Sequence, residues 1–112
     1  MSTRDAQLTL TITSCAPDDA PTLATRLLDS QLVACVSVVP GVQSHYRWQG
    51  EVQRDQESLL LIKTPSDRVD AMTETLLSVH PYDTPEVVTF EADQVSKGYL
   101  AWALSVTPAD QS

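Results

Sequence analysis

The sequence predicts an α+β domain, ordered βαββαβ with a short closing helix, in which one antiparallel sheet carries both long helices on one face. Three observations predict it. Gln7 to Ser14 alternates strictly, Leu8, Leu10 and Ile12 against Thr9, Thr11 and Thr13, the period of a strand with one strongly apolar face. Two later segments open on proline and aspartate and then carry apolar residues at helical spacing. Extended apolar runs, punctuated by Pro40-Gly41 and Gln49-Gly50, fill the space between them. At 112 residues the chain fits one domain, with 1–6 and 107–112 expected to fray.

The elements follow in order. Pro17-Asp18-Asp19 opens the first helix, whose stripe is Ala20, Leu23, Ala24, Leu27 and Leu28, ending near Ser30 or Gln31. Ala34 to Val39 is a second strand, interrupted by Pro40-Gly41. Extended structure resumes through Ser44–Trp48, and Gln49-Gly50 turns it into Glu51-Val52 as a hairpin arm. Ser58 to Lys63 is the third strand. Thr64-Pro65-Ser66-Asp67 predicts a helix start with a threonine cap, and Val69, Met72, Leu76 and Val79 form that helix's core stripe. Pro81 ends it at His80. Glu86 to Glu91 is a fourth strand, and Ser96 to Ser105 a short final helix. The simplest packing is ferredoxin-like, with strand order 4-1-3-2 set by right-handed crossovers.

The balance is acidic, 15 Asp and Glu against 7 Lys and Arg, for a net charge of -8. No basic cluster exists to contact phosphates, so nucleic acid is excluded as a partner, while a divalent cation or a basic partner suits the field. The start, Met1 to Asp5, has no apolar stretch that could serve as a signal peptide, and Pro40 and Gly41 break the uncharged span 30–46, so no membrane segment is expected. The expected compartment is therefore the reducing cytoplasm, with Cys15 and Cys35 expected as free thiols.

Two helices cover one sheet face, yet Leu59 to Ile62 and Val87, Val88 and Phe90 place apolar side chains on both. That predicts an oligomer, with the arm bearing Tyr46 and Trp48 reaching a second subunit. The alternative is a curled sheet that covers its own face.

In this topology Cys15 and Cys35 sit at opposite ends of strands separated by a third, roughly 10 Å apart laterally. A disulfide needs Cα atoms within about 7 Å, so none forms within the subunit. Cys35 reads as a small buried hydrophobe. Cys15, at a strand-to-helix junction, is placed where partial exposure and the helix N-terminus would lower its pKa. His80 is either a helix-end histidine packed on the core edge or a metal ligand. The acids Glu51, Asp55 and Glu57 read as a solvated turn. No HExxH, Walker loop, GxGxxG or GxSxG is present, so no enzyme activity is expected.

Five ordered motifs carry a resemblance: 32–36 (LVACV), 39–42 (VPGV), 46–50 (YRWQG), 61–64 (LIKT) and 79–86 (VHPYDTPE), with 99–102 (YLAW) behind them. Together they closely resemble the CutA divalent-cation tolerance family, from about Leu8 to Ala103. The resemblance implies a ferredoxin-like subunit in a PII-like homotrimer, cytoplasmic, linked to tolerance of copper and other divalent metals, with no organic cofactor. It implies a ligand cleft between subunits containing Tyr46, Trp48, Lys63, His80, Tyr82, Glu86 and Trp102. It nominates His80, Cys15 and Cys35 as metal ligands. Some members carry a Cys at the end of the first strand and two adjacent His before the Pro-Tyr pair; here those positions read Ser14, Val79 and His80. A small anionic ligand in the same cleft, met by Lys63 with His80 and Tyr82, is the alternative occupant.

Overall fold

The computed structural model describes residues 4–108. Its elements are strand β1 (Leu8–Cys15), helix α1 (Ala20–Asp29), strands β2 (Cys35–Trp48) and β3 (Glu51–Pro65), helix α2 (Val69–Val79), strand β4 (Val88–Glu91) and helix α3 (Lys97–Ser105). The four strands form one antiparallel sheet in the order β2-β3-β1-β4, the expected ferredoxin-like topology. Single 3-10 turns, Pro17–Asp19 and Ser66–Arg68, lead into α1 and α2.

Three boundaries differ from expectation. Pro40-Gly41 does not interrupt the second strand; it forms a bulge between Val39 and Val42, with Gly41 at φ 73°, and the ladder continues to the tip of the arm. Thr64 does not cap a helix. It pairs with Thr9 inside the sheet, β3 runs on through Pro65, and α2 starts at Val69 without a side-chain cap. The fourth strand begins at Val88 rather than Glu86. At the arm's tip, Gln49 (φ 51°) and Gly50 (φ 81°) both take the left-handed conformation of a two-residue hairpin turn. The arm gives the molecule principal extents of 55 × 28 × 23 Å.

Register decides which face is inside. Opposed residues on neighbouring strands share a face. Thr9, Thr11 and Thr13 lie opposite Thr64, Ile62 and Leu60, and all six are buried under α1 and α2. Leu23, Leu27, Met72 and Leu76 from the helices close this core, each burial contributing about 2 kcal/mol. The threonines of β1 therefore point inward. Its apolar side, Leu10 and Ile12, turns to the face without α1 and α2, beside Leu59, Leu61, Val88 and Phe90. Val88 and Phe90 are 44% and 51% exposed there.

Helix α3 covers one end of that second face, where Ala103 packs with Leu8 and Ala34. Arg4 holds the packing in place. Its guanidinium donates to both carboxylate oxygens of Asp67 (2.6 and 2.7 Å) and to the Thr107 carbonyl (2.6 Å) at the end of α3. Within the segments expected to fray, Ala6 and Thr107 are buried and Arg4 is bonded to Asp67. The rest of those segments, except Asp5 and Pro108, lies outside the described residues.

Candidate functional site

The polar groups gather at two ends of the sheet. At the first, Pro81 forces His80 out of helical geometry (φ -71°, ψ 133°), so its ring turns in against β1. The Tyr82 backbone N–H donates to His80 Nδ1 (3.1 Å), which fixes the ring proton on Nε2, and Nε2–H donates to the Ser14 carbonyl (2.9 Å). The imidazole is buried with both nitrogens engaged. The Tyr82 ring lies against it at 4.8 Å, and the Tyr82 hydroxyl donates to Glu57 Oε2 (2.7 Å). Burial first, then this bond to Glu57, pushes the phenol above its ordinary pKa. Glu57 is buried, not part of a solvated turn as its sequence neighbours suggested.

Cys15 belongs to this end and corrects an expectation. It has no exposed surface, and burial, then the charges of Asp19 and Glu57, push the thiol up to about 11. A helix N-terminus lowers a thiol pKa only where the thiolate stays solvated, and here it does not.

At the second end, register places Cys35 directly opposite Lys63, on the face without α1 and α2. Lys63 Nζ donates to Ser37 Oγ (2.7 Å) and stands 3.8 Å from Cys35 Sγ. Cys35 is half-buried rather than a core hydrophobe. Tyr99 of α3 comes close enough that burial, and then this thiol's charge, raise its pKa, and its ring lies 5.5 Å from that of Trp102. Trp102 is 44% exposed.

The arm holds the remaining predicted residues. The Tyr46 hydroxyl donates to Asp55 across the hairpin, a bond that raises the phenol pKa. Trp48, at the tip, is 56% exposed, and Glu86 is exposed ahead of β4. One chain therefore brings Tyr82 to His80, whereas Lys63 beside Cys35, Trp102 on α3, Tyr46 and Trp48 on the arm, and Glu86 ahead of β4 stand apart from them.

A family model described as CutA1 divalent ion tolerance protein matches residues 8–106. The chain belongs to the CutA1 family. The Divalent-cation tolerance protein CutA of Thermus thermophilus is 43% identical over 91 residues, covering 81% of this chain and 88% of that protein. The Protein CutA homolog of Xenopus laevis is 42% identical over 94 residues, 82% of this chain and 62% of its own length. The chain thus spans less than two thirds of that relative. Among solved structures, the PII-like protein CutA from Nostoc sp. PCC 7120 in apo form superposes with a TM-score of 0.84 at 28% identity, covering 89% of this chain and 97% of that one.

Membership of the CutA1 family relates the chain to divalent cations, so the fit of its donors to a metal matters. Within one subunit they do not fit. Cys15 pairs with Ser58 on the helix-covered face, Cys35 with Lys63 on the other, five positions further along β3. Both His80 nitrogens are spent on backbone groups. Among the described residues no three His, Cys, Asp or Glu side chains lie close enough together to hold an ion. No helix among them is long and apolar enough to cross a membrane.

Sequence reasoning missed Glu57, Ser37 and Tyr99. Glu57 gave no signal, because the 25-residue separation from Tyr82 is closed only by tertiary packing. Ser37 was readable: once Cys35 opposes Lys63, the residue two further along β2 shares their face.

Proposed function

We propose that this protein works in the cytoplasm as a homotrimer serving divalent-cation tolerance, and that copper or another divalent metal binds across the subunit boundary rather than within one chain. One observation carries this reading: the apolar row of Leu10, Ile12, Leu59, Leu61, Val88 and Phe90 faces away from both long helices, and only its end is covered by α3. An uncovered apolar sheet face is buried most simply against copies of itself. The likeness to a PII-like protein supports three copies, the assembly the family resemblance implies. Since the described residues of one subunit bring no three donors together, a neighbour is the simplest source of the remaining ligands, and Cys35 is the softer, more accessible donor. Two free thiols fit a reducing compartment.

A second reading rests on a different observation. Lys63 is a half-buried cation with Tyr99 and Trp102 on the helix beside it, a combination suited to a small anionic ligand.

Native mass spectrometry at micromolar protein tests the assembly, with a trimer expected; a monomer would sink the reading. Calorimetric titration with copper, beside Cys35→Ser and His80→Ala, tests the site. Binding weakened at least tenfold in Cys35→Ser but kept in His80→Ala supports the boundary site. A trimer that binds no copper leaves the anionic ligand as the occupant.

A further inference from the structure

The geometry points to a modification site that neither metal nor anion binding requires: Cys35 and Lys63 are the two ends of a reversible sulfur–oxygen–nitrogen bridge, formed when a hydroperoxide oxidises both side chains.

Three features place the reactants. Cross-strand register sets Cys35 opposite Lys63 with both side chains on one face, so backbone pairing already brings them side by side. Nζ stands 3.8 Å from Sγ, and the Ser37 hydroxyl 2.7 Å from Nζ holds the amine there. The flexible four-carbon stem of Lys63 can take up the remaining gap when one oxygen atom joins the two. Cys35 also keeps access from solvent in the subunit, which the fully buried Cys15 lacks. Cys15 has carboxylates for neighbours, Asp19 and Glu57, in place of an amine.

The chemistry balances with two hydroperoxide molecules. The Cys35 thiolate attacks the first and breaks its O–O bond; sulfur is oxidised to the sulfenic acid and, with hydrogen peroxide, one water leaves. The Lys63 ammonium gives up a proton, and its nitrogen lone pair takes an oxygen from the second, giving the hydroxylamine and another water. The hydroxylamine oxygen then attacks the sulfenic sulfur. The new S–O bond forms as the sulfenic S–OH bond breaks, and the departing hydroxyl leaves with the hydroxylamine proton as a third water. Sulfur and nitrogen are each oxidised by two electrons, and a dithiol reductant returns them by the reverse electron count. The bridge removes the Lys63 cation and ties β2 covalently to β3.

The test uses the full chain in its assembled state, treated with excess hydrogen peroxide and read by intact mass and by peptide mapping. Wild type and Cys15→Ser are expected to gain one oxygen and lose two hydrogens, with one cross-linked peptide containing both Cys35 and Lys63, and dithiothreitol is expected to restore the starting mass. Cys35→Ser and Lys63→Arg should show no such species. The readout is independent of metal or anion binding, so it stands or falls apart from the proposed function. Two results would overturn the bridge: the same mass change persisting in Cys35→Ser, or wild type forming only oxygen adducts on Cys35, with no cross-linked peptide, at the level seen in Lys63→Arg. Peptide mapping of wild type decides the matter even where a variant folds poorly.

Discussion

Thr11 faces Ile62 across the centre of the sheet, and neither has any exposed surface. The pairing shows that β1 is inserted with its threonines toward the helices. Thr11 satisfies its hydroxyl by bonding Thr89 Oγ1 at 2.6 Å, but the hydroxyls of Thr13 and Thr64 are buried without any partner. An unpaired buried hydroxyl costs about 1–3 kcal/mol, while valine keeps the branched shape. Thr13→Val is therefore expected to stabilise the fold by about 1 kcal/mol, raising the thermal midpoint by about 4–8 °C. A lowered midpoint in a thermal melt would show that the hydroxyl has a partner, such as a bound water.

The inverted strand also shows what the sequence could and could not tell. Strict alternation at 7–14 made β1 legible, and the order of elements, with the crossover rule, made the strand order legible. Which side of β1 faced inward was not legible, because the apolar face of a strand marks burial without saying by what. If the second face is buried against copies of the chain, as proposed above, the strongest apolar pattern belongs to that interface. The helix start at Thr64 was misread for a related reason. Threonine followed by proline satisfies the local rules of a cap, but the Thr9 partner across the sheet outweighs local propensity. Of the site, Tyr82 beside His80 follows from spacing, whereas Glu57 and the Cys35–Lys63 pair needed register.

Phe90 lies opposite Leu10 on the second face and is 51% exposed in the single chain. A charge there costs little in an isolated subunit and several kcal/mol in a buried interface. Phe90→Glu is expected to shift native mass spectra from trimer to monomer while the far-ultraviolet circular dichroism stays that of the wild type. A variant that stays trimeric would remove Phe90 from the interface.

Arg4 lowers the Asp67 pKa from its ordinary 3.8, chiefly by their hydrogen bond. For a carboxylate whose folded pKa is depressed, the stabilisation is present above the unfolded value and is lost as pH falls through the folded one. Stability is thus expected to fall below about pH 4, and Arg4→Ala should flatten that acid limb. At neutral pH the same variant should cost about 1–2 kcal/mol, since a charged fork bonded to both a carboxylate and a carbonyl exceeds an ordinary surface pair. Urea melts at pH 7 and pH 3 check both parts; equal losses at the two pH values would contradict the linkage.

Cys15 predicts the alkaline limb. Its pKa rises from 9.0 to about 11 on folding, so the neutral thiol is the form the fold accommodates. A raised folded pKa contributes stability that is complete below pH 9 and is lost as pH climbs toward 11. Two units correspond to at most about 3 kcal/mol. Cys15→Ala gives up some packing at every pH, but the wild-type advantage should shrink between pH 9 and pH 11. A constant difference across that range would show that the thiol does not titrate in the unfolded chain alone.

Tyr82 and Glu57 close the end of the sheet opposite Lys63, and nothing in the sequence hinted at their bond. Glu57 is 7% exposed, so a carboxylate deprived of the Tyr82 hydroxyl would be left buried and short of a donor. Tyr82→Phe keeps the ring against His80 and removes only that donor, which isolates the effect; about 1–3 kcal/mol should be lost. Glu57→Gln is expected to be milder, because an amide oxygen still accepts the bond at lower desolvation cost. In the double variant the two losses should fall short of their sum, with a coupling above about 0.5 kcal/mol. Strict additivity in denaturant melts would mean that the pair is held together by its surroundings and contributes nothing of its own.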